Sequence, residues 1–584
     1  VAPTLVDAVR ALEPDSSRGF AFVNADGSER FCSFQEMAFE AARRAGALAS
    51  LGLRRGDRLV LVLPDGQEFV LSLLGAAFAG IVPVPLHPSE AARSPLAYGQ
   101  TVTHVVDAAR ATMILTTSAA RATVERAANF GNTRSSLRAI VTVEDISTVD
   151  RFVRIDASPA DLALIQFTSG STARPKAVAV SHANLAANAA GFMIDGLQRD
   201  PSVDKGVSWL PLFHDMGLIG FVMGPLFTNV PCVILPTASF ARRPRVWLDT
   251  IHRHRGTITY ASSFAYELVA KRLRDKSLEG LDLSSLRVCG CGAEPLQAGV
   301  LREFAETLAP TGFRASAFVP SYGMAEGTLA IALAPLGQGV VTDTVDTLAL
   351  ADGCAAPADS RVTTTEIVSC GRPFPGHELA IVDDQGRRLG ERRVGEIVVR
   401  GPSIAAGYYG EPERTARTRR PIQSDGPGDE PWLHTGDLGY VVGEDVFVCG
   451  RTHDVIALQG RRYFPSEIES AVSEVPGVRR GGVVAFTALA PADDASAAGT
   501  PRLVVCCEAS AVHEKTIVEQ ATAIVATRFG LALDEVVVVA PASLPRTSSG
   551  KLKRLETRDH YASRSLARVK TQPAAIRERS VTNR

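Results

Sequence analysis

The chain predicts an α/β protein: a large N-terminal domain of layered, mostly parallel sheets with a β-rich subdomain, then a small α+β C-terminal domain. Three observations carry this. Short β-branched runs alternate with helical patterns through the first three quarters of the sequence, as in parallel sheets covered by helices. The stretch "HELAIVDDQGRRLGERRVGEIVVRGPSI" then breaks the alternation with two strands joined by turn residues. After "GRTHD", near His453, a fresh pattern begins and fills roughly 130 residues, an ordinary domain size. The domains drawn from this are 1–452 and 453–584.

In order along the chain, "RLVLVLP" reads as a strand, "GQEFVLSLLGAAFAG" as a helix and "IVPVPL" as a strand. Phe69 to Leu86 is uncharged for 18 residues, long enough to be mistaken for a membrane span. Pro83 and Pro85 break its end, so a buried helix followed by a buried strand is expected. "ATMILTT", "ALIQFTSG", "GVSWLP", "CVILPT" and "GTITYAS" are further strands separated by helical segments. Pro335 to Glu366 is rich in Thr, Ala, Asp and Gly and reads as an inserted, exposed segment. In the last domain, "VIALQGRRYF" is a hairpin turning at Gly460, and Pro465 suits the first turn of a helix. Strand "GGVVAF", strand "LVVCCEAS", helix "KTIVEQATAIVATRF" and strand "EVVVVA" follow. The polar tail from Arg564 is expected to be loosely ordered.

Composition narrows the function. The formal net charge is -1, from 62 basic and 63 acidic residues, without the basic excess of a nucleic-acid binder. The nine cysteines are scattered and form no CxxC pair, as expected of buried free thiols in a reducing compartment. The N-terminus shows no basic start followed by an apolar stretch, so no secretory signal is read there. The expectation is a cytoplasmic protein with no membrane insertion.

The stretch with most chemistry in it is "FTSGSTARPKAV", Phe167 to Val178. Thr168, Ser169, Ser171 and Thr172 offer hydroxyls. Gly170 lets the backbone approach an anion closely, and Lys176 supplies a mobile positive charge. The set suits nucleotide phosphates, although it lacks the second glycine of a Walker loop. The plainer alternative is a Ser/Thr-rich surface turn. Its company weighs against that. In "SYGMAE", Tyr322 could stack on a base and Glu326 could hold Mg²⁺. In "HTGDLGY", Asp437 suits ribose hydroxyls. "GRTHD" adds Arg451, and "LPRTSSGKLKR" presents Lys551 on a loop far downstream.

Taken in order, these motifs together with "CGAEPL" resemble the adenylate-forming superfamily of acyl-CoA synthetases, luciferases and peptide-synthetase adenylation domains. The resemblance spans about residues 20 to 560. Within it, "SWLPLFHDMGLIG", "FVPSYGMAEGTLA" and "VSCGRPFPGHELAIVD" are most similar to the fatty acyl-AMP ligases. That family carries an extra segment, for which Pro335 to Glu366 is the counterpart.

The resemblance implies two half-reactions: a fatty acid and ATP form an acyl-adenylate and pyrophosphate, then the acyl group passes to the phosphopantetheine thiol of an acyl carrier protein. It implies that Lys551 bridges the attacking carboxylate and the α-phosphate. Glu326 would hold Mg²⁺, with Thr168 as a weaker ligand. Ser169, Gly170, Ser171, Thr172 and Lys176 would cradle the β- and γ-phosphates. Gly292, Ala293 and Tyr322 would frame the adenine, with Glu294, Ser321, Gly323 and Met324 also in the nucleotide site. Asp437 and Arg451 would hold the ribose, and the C-terminal domain would be mobile about a hinge at His453. Ala173 and Ala177 stand where glycine is common, and His453 where Lys or Asp is usual, which brings the pH dependence of domain rotation into question.

Several residues keep two readings. His214 lines or gates the acyl pocket, or simply packs at a strand end. Met216, Ile219 and Phe221 line an acyl tunnel or belong to the core. Arg461 and Arg462 meet an acidic carrier protein or face solvent. The alternative function is a fatty or aryl acid CoA ligase. A nucleotide-binding protein without turnover is opposed by Lys176, Lys551 and Glu326. Amino-acid activation would need a carboxylate for the ammonium group, for which Asp215 is the obvious candidate.

Overall fold

Helix Gly66–Phe78 shows how the sequence builds the interior. Asp65 caps it by accepting from the Glu68 amide, and every residue from Phe69 to Phe78 is buried. A helix apolar on all sides belongs between layers. It packs on helix Phe34–Ser50, which starts at a reciprocal Ser33–Glu36 capping box. Contact is so close at Gly75 that a Cβ there would sit 2.7 Å from Cβ of Arg44. Arg44, 5% exposed, is held in this interface by Ser72 Oγ at 2.8 Å and by Glu68 Oε2 at 2.8 Å. The following strand, Val82–Pro85, is the edge of its sheet, the position where proline costs least. Among the described residues no helix is long and apolar enough to cross a membrane.

The structure is a computed structural model that describes residues 1–89, 94–130, 136–147, 152–168, 174–359, 362–423, 430–489, 500–509, 514–547 and 550–566. They fall into two compact units. The first comprises Val1–Val345, Gly353–Pro357 and Glu366–Thr452; the second comprises Asp346–Asp352, Ala358–Thr365 and His453–Arg584.

Three sheets make up most of the first unit. A nine-stranded sheet runs in the order Arg372–Pro373, Ala330–Leu333, Phe318–Gly323, Val288–Cys291, Ile258–Ala261, Gly206–Ser208, Cys232–Ile234, Gly19–Val23, Glu29–Ser33. Its central strands are parallel. A four-stranded sheet, Val82–Pro85, Arg58–Leu61, Met113–Thr116, Ala139–Thr142, is parallel throughout. The β-rich part is antiparallel and centres on Gly395–Arg400 and the long strand Trp432–Val442.

The second unit contains hairpin Ile456–Leu458/Arg461–Tyr463, turning through Gly460 at φ 78°. Helix Pro465–Ser473 begins with proline in its first turn. Strands Val478–Leu489, Pro501–Ala509 and Glu535–Val539 form one sheet. The tail beyond residue 566 lies outside the described residues.

The inserted segment departs in part from its reading as exposed. Strand Thr342–Asp346 pairs with Thr364–Val368, and Asp346 caps the short helix Thr347–Ala351. Val345, Leu350, Ala351 and Ala355 are buried. A helix of 5 residues is too short to show periodicity in sequence. Part of the segment belongs to the second unit, where Asp352 Oδ1 pairs with Arg461 Nε at 2.8 Å and Thr365 Oγ1 lies 3.4 Å from Glu467 Oε2. All nine cysteines are free, and all but Cys354 are buried.

One interior histidine makes the first unit sensitive to acid. His182, 3% exposed, accepts the Leu5 amide at Nδ1 over 3.2 Å and so ties the N-terminal helix to helix His182–Ala189. Burial lowers its pKa from 6.5 to about 4. The folded chain stays neutral here while the unfolded chain takes up a proton below 6.5. The stability this contributes is complete above that pH and lost as pH falls toward 4, about 3 kcal/mol in all. His182→Asn, which keeps an acceptor, is expected to flatten the fall in Tm between those pH values, measured by thermal melts across that range.

Candidate active site

The sequence places the hydroxyl-rich loop at the end of a strand in a layered sheet. Strand Leu162–Phe167 does lead into it and a short strand, Ala177–Ser181, does follow, but the two pair antiparallel with each other, Phe167 opposite Ala177, in a two-stranded sheet of their own and not in one of the layered sheets. Ser169, Gly170, Ser171 and Thr172, with Ala173, lie outside the described residues. The two ends of the loop are joined: the Thr168 amide donates to the Lys176 carbonyl at 3.0 Å, and the Lys176 amide donates to Thr168 Oγ1 at 3.2 Å.

A third segment joins this hairpin. The Ala179 amide donates to the Gly407 carbonyl at 3.0 Å, and the Tyr409 amide to the Ala177 carbonyl at 2.8 Å. Tyr408 is thereby set beside Lys176, whose Nζ lies 5.4 Å from the ring centroid, a cation–π distance. The Tyr408 hydroxyl donates to Glu326 Oε1 at 2.8 Å, and Lys176 Nζ stands 4.0 Å from the same oxygen. Burial, and then the Glu326 charge, raise the Tyr408 pKa, so this phenol is a donor and not a base. Sequence reading missed Tyr408. It lies in "AAGYYG", with no signal beyond an aromatic pair beside glycines.

Glu326 follows strand Phe318–Gly323 in a tightly folded turn. At Gly323 a Cβ would lie 2.0 Å from the Leu329 carbonyl oxygen, so only glycine fits. Met324 leads into the short 3₁₀ turn Ala325–Gly327. Thr328 then adopts φ 69°, ψ -60°, and the Leu329 amide donates to the Gly327 carbonyl at 2.9 Å. This is the rarer, strained γ-turn, on a β-branched residue that resists positive φ. It is held from several sides. Thr328 Oγ1 donates to the Ser403 carbonyl at 2.6 Å. Asn188 Nδ2 donates to the Gly327 and Ala330 carbonyls at 3.2 and 2.7 Å. His377 Nε2 lies 2.6 Å from Ser403 Oγ, and burial lowers its pKa and keeps it neutral.

A second cluster adjoins the first through Tyr322, four residues before Glu326. The Tyr322 hydroxyl donates to Asp437 Oδ2 at 2.8 Å, and Arg451 Nε donates to Asp437 Oδ1 at 3.1 Å. Asp437 and Arg451 are register partners on adjacent strands. Burial raises the Asp437 carboxyl above the usual range against the pull of Arg451 and Tyr322. Burial likewise pushes the Tyr322 hydroxyl well up. Gly292 packs on the same strand: a Cβ there would lie 2.6 Å from Ser321 Oγ, which itself donates to the Cys291 carbonyl at 3.0 Å. Ala293 turns the chain with φ 72°, and Glu294 Oε1 accepts from the Phe264 amide at 3.3 Å.

His214 pairs with Asp215, Nδ1 to Oδ1 at 2.5 Å, and the Phe213 carbonyl accepts from Gln166 Nε2 of the hairpin at 3.1 Å. Ile219 and Phe221 belong to the main core, and Met216 packs against it partly buried.

In the second unit, Lys551 ends a closed loop. The Thr547 amide donates to the Lys551 carbonyl at 2.7 Å, the Lys551 amide donates to Thr547 Oγ1 at 3.1 Å, and Gly550 takes φ 90°. His453 Nε2 lies 3.7 Å from Asp454 Oδ1.

Among the described residues, no group of three His, Cys, Asp or Glu side chains gathers to bind a metal. Glu326 and the Thr168 hydroxyl are hard oxygen donors, which suits a Mg²⁺ ion bound mostly by phosphates and water.

Comparison with known proteins places the chain in a family. The family model described as AMP-binding enzyme matches residues 16–409. A Caulobacter vibrioides protein provisionally named an acyl-CoA synthetase is 35% identical over 528 residues, 89% of each chain. The medium-chain-fatty-acid–[acyl-carrier-protein] ligase of Moorena producens is 30% identical over 592 residues, 97% of each chain. A structure from work on the fatty acyl-adenylate ligases of E. coli and L. pneumophila superposes with a TM-score of 0.85 at 32% identity, covering 96% of this chain and 98% of that one. The chain belongs to the AMP-binding, adenylate-forming enzymes, whose members use ATP to activate acyl acids.

Proposed function

We propose that the chain is a fatty acyl-AMP ligase that loads an acyl carrier protein. The observation that carries the adenylation chemistry is the meeting of Lys176, Tyr408 and Glu326 at the mouth of the hairpin. A cation for phosphate oxygens and a fixed carboxylate for their counter-ion stand side by side. The relative from Moorena producens, matched over almost its whole length, supports the fatty acid and carrier protein as substrate and partner.

In the first half-reaction a carboxylate oxygen of the fatty acid attacks the α-phosphorus of ATP. The bond from that phosphorus to the bridging oxygen breaks, and pyrophosphate leaves. Catalysis is positioning and charge neutralisation. Lys551 bridges the attacking carboxylate and the α-phosphate. Lys176, with the loop hydroxyls and Gly170, takes the β- and γ-phosphates. Glu326, and more weakly Thr168, would hold Mg²⁺, which when bound would further neutralise the phosphate oxygens. Tyr408 fixes the Glu326 rotamer by donating to one oxygen. Asp437 and Arg451 hold the ribose, while Tyr322, Gly292 and Ala293 frame the adenine, with Glu294, Ser321, Gly323 and Met324 beside them. His214 lines the acyl entrance. In the second half-reaction the phosphopantetheine sulfur attacks the acyl carbonyl. A C–S bond forms, the C–O bond to AMP breaks, and the thiol proton passes to solvent. His453 is the pivot between the steps.

Mass spectrometry of products from ATP, Mg²⁺ and a panel of fatty acids, with and without CoA, tests the reading. Acyl-adenylate that accumulates regardless of CoA is expected. Efficient acyl-CoA formation would move the chain to the CoA ligases.

Lys551→Ala is expected to lower acyl-adenylate formation by about 100- to 1,000-fold and to spare transfer from a preformed acyl-adenylate, with each half-reaction assayed separately. Asp437→Asn is expected to raise the KM for ATP by about 10-fold or more through loss of charge-assisted hydrogen bonds, with a smaller effect on the KM for the fatty acid, both read by pyrophosphate release.

A further inference from the structure

A carboxylate is buried in the second unit where the strand pattern favours an apolar side chain. Leu503, Val504, Val505, Cys506 and Cys507 are all buried, and Glu508 follows at 0% exposure. The neighbouring strand makes room for it. Its register passes from Val478 opposite Ala509 to Val483 opposite Cys507, so residues 479–482 bulge out across from Glu508. Bulges of this kind re-aim side chains near functional sites. Gly482 approaches so closely that a Cβ there would sit 2.9 Å from Glu508 Oε2.

A buried charge of this sort is poorly explained by stability, because well-packed apolar side chains of similar volume often stabilise a fold as well or better. What the carboxylate holds is more informative. Oε1 accepts the Leu544 amide at 3.0 Å. Oε2 accepts from Arg479 Nη1 at 2.8 Å and lies 3.7 Å from Arg546 Nη2. Leu544 and Arg546 open the stretch that carries Lys551. The Arg546 guanidinium then spans two carbonyls, donating through Nη2 to Gly481 in the bulge at 2.6 Å and through Nη1 to Gly550 at 3.0 Å. Gly550 immediately precedes Lys551. A planar fork suits this task, and an ammonium does not.

We propose that Glu508, acting through Arg546, is a positioning residue for Lys551. The chain of contacts runs from the buried carboxylate to the guanidinium, to the Gly550 carbonyl and so to the lysine backbone. It fixes the loop to the sheet and returns the ammonium to one place in each adenylation. This rests on Lys551 being the adenylation lysine. A displacement of about 1 Å in a catalytic group can cost about 100-fold in rate, which gives such an anchor its effect.

The test uses the full chain with ATP, Mg²⁺ and dodecanoate, or the chain length ranked first by the product assay. Transfer is measured separately from the matching synthetic acyl-adenylate to pantetheine. Glu508→Gln and Arg546→Lys are expected to lower the kcat of adenylation by about 10- to 100-fold, leaving the KM for ATP and the transfer step unchanged. Combined with Lys551→Ala, neither should slow adenylation below Lys551→Ala alone, because residues acting through one group are non-additive. Equal loss in both half-reactions, loss in neither, or further loss on the Lys551→Ala background would overturn the positioning role. If Glu508→Gln does not fold, Arg546→Lys decides, since it leaves the Glu508–Arg479 pair in place. Full adenylation by Lys551→Ala would instead overturn the assignment of the lysine itself.

Discussion

The placement of Glu326 depends on a strained turn. Thr328 has a backbone conformation that few β-branched residues adopt, and it persists because the surroundings over-determine it. Its hydroxyl is engaged by Ser403, the flanking carbonyls by Asn188, and Ser403 by a neutral His377. These partners come from the antiparallel β-rich part and from helix His182–Ala189. Glu326, two residues before the strained position, therefore takes its place from three separate parts of the chain. The Ala405 amide adds a further tie, donating to the Glu326 carbonyl at 2.9 Å.

The same logic explains why the site lies where layers meet. Lys176 is on the hairpin, Glu326 after a strand of the nine-stranded sheet, and Asp437 with Arg451 on the antiparallel sheet. Tyr408 joins the first two, and Tyr322 links the third to them. The backbone neighbours of Tyr408 pair with the hairpin, while its hydroxyl reaches Glu326. A cation and a carboxylate set in this way are held in a fixed arrangement, the kind of pre-organisation that electrostatic catalysis uses.

Much of this was legible in sequence because its signals are local. The parallel layers follow from β-branched runs alternating with helical patterns; Asp437 and Arg451 were each singled out by motif, but that they face each other on adjacent strands was not read. Pro83 and Pro85 correctly ended an apolar run that would otherwise resemble a membrane helix. What escaped was non-local or short. Tyr408 meets Glu326 across 82 residues, a separation that periodicity does not encode. That the two strands flanking the hydroxyl-rich loop pair with each other in a sheet of their own was missed because strand partners are not encoded by local signals. The strand and helix inside Pro335 to Glu366 were missed because the helix is barely more than one turn.

The burial of the cysteines bears on what an enzyme of this kind makes. An acyl-adenylate is a strong acylating agent, and a thiolate anywhere near it would be acylated in place of the intended acceptor. Burial pushes the thiols of Cys32, Cys289, Cys370 and Cys507 up to about 12, and those of Cys232 and Cys291 upward as well. Protonated and enclosed, they are poor nucleophiles. These six thiols would compete poorly with an arriving thiol for a reactive mixed anhydride; Cys354 is the one cysteine that is not buried.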